Sequence, residues 1–156
     1  MAVILTPSGF EKEENVDIPV AGSGVLCRAV SGYARFYNPD FTNSHGAPII
    51  DGGLQGDPDD DDRKWVTHNV HMVVGPKWQS VRDVSPIVTV AGFQFWDSDD
   101  ADASGTEILT CTWDTVGEPD GQTELQRIRL KVKLRMCGGH QYWITKLAYH
   151  LVAVGR

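Results

Sequence analysis

The stretch LQRIRLKVKLRM constrains the fold more than any other part of the sequence. In it Ile128, Leu130, Val132, Leu134 and Met136 alternate without a break with Arg127, Arg129, Lys131, Lys133 and Arg135. Successive side chains of a strand point to opposite faces, so this pattern sends the apolar set into a core and the basic set to the surface. A helix would scatter both sets around its axis. The chain must therefore build a sheet with one buried and one solvent-facing side.

Other segments repeat the signal. In WVTHNVHMVV, Val66, His68, Val70, Met72 and Val74 share one face, and Trp65, Thr67, Asn69, His71 and Val73 the other. SPIVTVAGFQFW is a nearly continuous β-branched and aromatic run, expected of a central strand covered on both faces. EILTCTW is shorter and runs into a turn rich in Gly, Pro and Asp. After the turn Cys137-Gly138-Gly139 come two further segments, residues 140–145 and 146–154. No helical period persists for three turns, and turn signals recur at short intervals. The expected architecture is all-β, an antiparallel β-sandwich or jelly roll in a single domain, a size of chain that buries roughly 70% of its unfolded surface. Residues 65–156 are read as the sandwich. Residues 1–64, rich in Gly, Pro, Asn and Asp, are read as an irregular N-terminal arm or a loose set of short strands at 16–20, 25–30 and 34–37.

Charge narrows the partners. Twenty-one acidic residues against 14 basic ones give a net charge of -7, which argues against a surface that binds nucleic acid throughout. The average conceals segregation, because five basic side chains, Arg127, Arg129, Lys131, Lys133 and Arg135, share one face of one strand. They stand about 7 Å apart and repel one another. Either they form a stripe for an anionic partner, such as a glycan or an acidic protein surface, or neighbouring acids balance them, or they guard an edge. No apolar run approaches a transmembrane length, so no membrane insertion is expected. The N-terminal segment lacks the basic start of a signal peptide, so the expectation is cytoplasmic synthesis without a leader, which also suits a virion protein. Cys27, Cys111 and Cys137 show no CxxC spacing and read as small buried thiols.

Two acidic clusters occupy residues 56–62 and 97–105. In the second, Asp100, Asp102 and Ser104 with Gly105 match the start of a calcium loop, but Cys111 stands where the bidentate Glu would be needed, so an irregular calcium turn is the most they offer. No catalytic motif is present, and His68 and His71 fall on opposite faces of a strand, poorly placed as co-ligands. The expectation is a protein that is not an enzyme and needs no cofactor. Among five tryptophans, Trp143 in GGHQYWITK lies beside Tyr142 and His140. An indole face there can stack on a pyranose while His and Gln hydrogen-bond its hydroxyls, or it can anchor the core.

Taken together, SPIVTVAGFQFWDSD, IRLKVKLRM and QYWITKLAYHLVAVG resemble the H-type lectin domain over residues 65–155. The likeness lies in a Pro-led apolar strand before an acidic turn, a late aromatic strand, and a closing strand that ends in Ala153, Val154 and Gly155. The resemblance implies a six-stranded antiparallel sandwich that forms trimers and binds sugars similar to N-acetylgalactosamine, with Trp143 as the family's late tryptophan. The leading expectation is a non-enzymatic, homo-oligomeric, lectin-like carbohydrate-binding protein. The alternative is a virion structural protein, a capsid decoration or tail component, that assembles through its N-terminal arm and basic strand.

Overall fold

The structure is a computed structural model that describes residues 4–36, 54–55, 65–95, 105–120, 123–137 and 142–156. Its strands are β1 (Ile4–Leu5), β2 (Gly9–Ile18), β3 (Leu26–Arg35), β4 (Leu54–Gln55), β5 (Val66–Trp78), β6 (Val81–Phe95), β7 (Gly105–Asp120), β8 (Thr123–Cys137) and β9 (Tyr142–Gly155). They form two sheets, and no helix occurs among the described residues. In the first sheet the order is β1-β5-β8-β7, antiparallel except for the short parallel pairing of β1 with β5. In the second, β9 lies between β3 and β6, β2 is outside β3, and β4 joins the start of β9. The all-β sandwich expected from alternation is the fold observed.

The core lies between the sheets and follows the strand period. On β8, Ile128, Leu130, Leu134 and Met136 are fully buried and Val132 nearly so. They meet Leu147, Tyr149, Leu151 and Ala153 of β9, with Val70, Met72 and Val74 of β5 beside them in the same core. The chain changes sheets between β5 and β6 at a corner plugged by Trp78, which is 2% exposed. Backbone bonds close that corner: Gln79 N–H and Ser80 N–H donate to the Arg156 carbonyl, and Arg156 N–H donates to the Ser80 carbonyl. Gly155 belongs here because a Cβ on it would stand 2.9 Å from Trp78 Cε3.

Two features differ from expectation, and residues 1–64 follow one of the two readings offered for them. The described part of residues 1–64 forms strands within the sandwich: β3 pairs with β9 from Leu26↔Gly155 to Arg35↔Lys146. That pairing places Val30 and Ala34, with Phe36 just beyond, in the core. The segments 140–145 and 146–154 are not separate strands, since residues 142–155 run as β9. The alternation slips because the register shifts around Gly92 and Thr145 is an extra residue between the pairs Gly92↔Lys146 and Phe93↔Ile144, so Ile144 and Leu147 both face inward. Finally, β6 is not central among the described residues. Among them it pairs with β9 and no other strand, and its outer residues Ser85, Ile87 and Thr89 are exposed.

Candidate functional site

The outer face of the first sheet carries the basic ladder, and register decides its chemistry. Asp114 of β7 lies opposite Arg129, and Glu107 opposite Arg135. Arg129 donates to both Asp114 oxygens at 2.7 and 2.5 Å, and Lys131 Nζ lies 3.1 Å from the same carboxylate. Hydrogen bonding from Arg129, foremost, and from Lys131 holds the Asp114 carboxyl down at about 2, against the opposing effect of burial. Arg135 donates to Glu107 at 2.7 Å and stacks its guanidinium 4.5 Å over the Trp65 ring. Arg127 donates twice to the Gly75 carbonyl, at 3.2 and 2.9 Å, with Glu118 3.8 Å away. His71 lies among these charges, and its pKa is lowered by burial first and then by Arg129 and Lys131. Lys133, between Asn69 and Thr110, is exposed and makes no ion pair among the described residues. For an anionic partner, the five-residue ladder therefore offers one cation without an ion pair among the described residues and four engaged ones.

The other residues singled out in the sequence fall at or beyond the edge of the description. Trp143 and Tyr142 begin β9; the Trp143 backbone pairs with Gln94 of β6 on one side and Gln55 of β4 on the other, and Tyr142 pairs with Phe95. His140, Asp100, Asp102 and Ser104 lie outside the described residues. No group of three or more His, Cys, Asp or Glu side chains among the described residues could hold a metal.

The outer face of the second sheet is of a different kind. Across β2, β3, β9 and β6, one row reads Ile18, Cys27, Val154 and Asp83, and the next Val16, Ala29, Val152 and Ser85. A third reads Glu14, Ser31, His150 and Ile87, and a fourth Glu11, Tyr33, Ala148 and Thr89. The first two rows are apolar on β2, β3 and β9 and end in Asp83 and Ser85 on β6. Val16 is 61% exposed, Ile18 42% and Ile87 62%.

Between the third and fourth rows, β2 bulges. The register against β3 shifts from Glu11 to Glu14, and Lys12 takes the left-handed region at φ 50°. The extra length aims the Glu13 carboxylate at β9 and β5, where its Oε2 accepts a hydrogen bond from the Tyr149 hydroxyl and another from Gly75 N–H at 3.1 Å. One carboxylate thus ties the edge of the second sheet to a strand of the first. Burial, and then the Glu13 carboxylate, push the Tyr149 phenol far up, so it stays protonated as the donor. Gly32 permits the approach, since a Cβ there would lie 2.5 Å from the Tyr149 oxygen.

The same bulge opens a pocket of about 340 Å³ lined by Lys12, Glu14, Ser31, Gly32, Tyr33, Ala148 and Tyr149. It gathers an ammonium, a carboxylate, two hydroxyls and the half-exposed ring of Tyr33 around one space. Neither Lys12 nor Glu14 makes an ion pair among the described residues. Sequence reading missed this site because EKEENV shows charge without period. Its one signal was an acidic and basic cluster interrupting a strand, where a bulge re-aims side chains. No protein-family model, curated protein or solved structure matches the chain.

Proposed function

We propose that this chain is a non-enzymatic binding protein that holds a hydroxyl-rich, carbohydrate-type ligand in the pocket at the β2 bulge. The observation that carries the reading is the lining itself: Lys12, Ser31 and Tyr33 can donate, Glu14 accepts, and the Tyr33 ring offers a stacking surface. Binding sites combine a few convergent polar groups with an apolar surface in this way, and a sugar presents hydroxyls on its edge and C–H groups on its face. The resemblance of residues 65–155 to the H-type lectin domain supports the same ligand class. A glycan array on the full chain tests it. A specific hit should weaken about tenfold or more, roughly 1.4 kcal/mol, in Tyr33→Ala and in Lys12→Ala. A hit lost in Trp143→Ala but not in those variants would move the site to the start of β9. A blank array would sink the reading.

The second reading, a virion structural or decoration subunit, is favoured by the apolar rows on the outer face of the second sheet, which suit a packed assembly better than a solitary molecule. A blank array together with copurification in an intact particle would select it.

A further inference from the structure

We propose that the outer face of the β2-β3-β9-β6 sheet is covered by a second copy of this chain. The first argument is a mismatch between β6 and its surroundings. SPIVTVAGFQFW has the composition of a strand buried on both faces, yet among its described side chains Val88 is buried, Val90 packs against the core, and Ile87 is left 62% exposed. One and two rows away on the opposite edge, Val16 and Ile18 are also exposed, and Cys27, Ala29, Val152 and Val154 fill the space between. Exposed apolar surface that is contiguous across strands, rather than scattered, marks a site of association.

Charge selects the partner. The molecule carries a net charge of -7, which opposes self-association in general. On this face, however, Lys12, Arg35 and Lys146 stand against Glu11, Glu14 and Asp83, and Glu11 is paired with Lys146 at 2.7 Å and with Arg35 at 3.4 Å. The face therefore sums to no charge from these groups, and another copy needs no complement of opposite sign to meet it. Size agrees as well. Four strands about 4.8 Å apart, with ten residues rising roughly 3.3 Å each, cover on the order of 600 Å². That approaches the roughly 800 Å² per partner of a standard stable interface. The sheet edges are poorer routes: β2 is lined by Glu11, Lys12, Glu13 and Glu14 around its bulge, and Pro86 removes a donor from β6. Charged residues, bulges and proline are how edges are closed to strand addition. The mode is thus face against face, and because the pocket at the bulge opens on the third and fourth rows of the same face, association and ligand binding compete for it.

Analytical ultracentrifugation of the full chain across a wide concentration range tests this. The wild type should associate, and Ile87→Lys and Val16→Lys should each raise the dissociation constant about tenfold or more while the far-UV spectrum and cooperative melting stay unchanged. Leu109→Lys, an equivalent change on the first sheet, should leave the mass as it is. A wild type that stays monomeric throughout, or an oligomer that both face variants leave intact, overturns the proposal. Should both variants fail to fold, maleimide labelling of Cys27 in the wild type decides: its rate should fall as protein concentration rises, and a rate independent of concentration overturns the interface. Glycan binding retained by monomeric Ile87→Lys would leave the ligand pocket standing, and its absence from that monomer would count against the pocket alone, so the two readings fail separately.

Discussion

At the residue scale, Glu13, Tyr149 and Gly32 form the most tightly coupled group. Tyr149 is 2% exposed and its hydroxyl is consumed by Glu13, so Tyr149→Phe leaves a partly buried carboxylate short of a donor and should cost about 1–3 kcal/mol by urea unfolding. Gly32→Ala should cost a similar amount, about 1–3 kcal/mol, by overpacking against the same hydroxyl. Because both act on one oxygen, the double variant should lose less than the two single losses added, with a coupling of about 0.5 kcal/mol or more; strict additivity would refute the contact. Asp114 makes a prediction in pH. Its carboxyl sits at about 2 in the folded state, below the ordinary 3.8. Between those values the unfolded chain binds more protons, so the stabilisation is complete above the ordinary value and is lost as pH falls towards 2. Acid unfolding of Asp114→Asn should therefore be flatter across that window than that of the wild type.

At the scale of elements, what was legible in the sequence followed the strictness of alternation. β8 and β5 were readable because the inward residues from Ile128 to Met136 are all apolar, the outward residues from Arg127 to Arg135 are all basic, and on β5 only His68 breaks the inward apolar set. β2 was readable only from Val16 onward. Its earlier half is an edge strand whose inward residue is a glutamate, and the partners that make Glu13 tolerable there, Tyr149 and Gly75, lie more than sixty positions away. β9 looked like two segments because a bulge at Thr145 resets the phase. The pocket was hidden for the same reason as β2. The sequence showed that acids were numerous enough to balance the basic ladder, but only the β7-β8 register assigns Asp114 to Arg129 and Glu107 to Arg135. That pairing has a measurable outcome. Wild-type protein should elute from heparin at low salt, and Asp114→Asn, which frees Arg129 and Lys131, should elute at clearly higher salt. Equal elution would show that the ladder is not held in check by β7.

At the scale of the whole molecule, the two sheets divide the labour. The first presents a polar, ion-paired surface to water, and the second carries both the proposed ligand pocket and the proposed subunit contact. If association covers the second sheet, unfolding is coupled to dissociation, and the melting temperature should rise with protein concentration. A melting temperature that holds constant over a hundredfold dilution, about a 2.7 kcal/mol change in the mass-action term, would argue for a lone molecule. The order of strands also carries a consequence for biosynthesis. In the second sheet β2, β3, β4 and β6 all precede β9 in the chain, yet β9 is the strand on which β3, β4 and β6 pair. Until residues 142–155 leave the ribosome, β3 and β6 have no common neighbour, and the nascent chain carries SPIVTVAGFQF uncovered on both sides. The interval between translating β6 and docking β9 is when this protein would most depend on a chaperone.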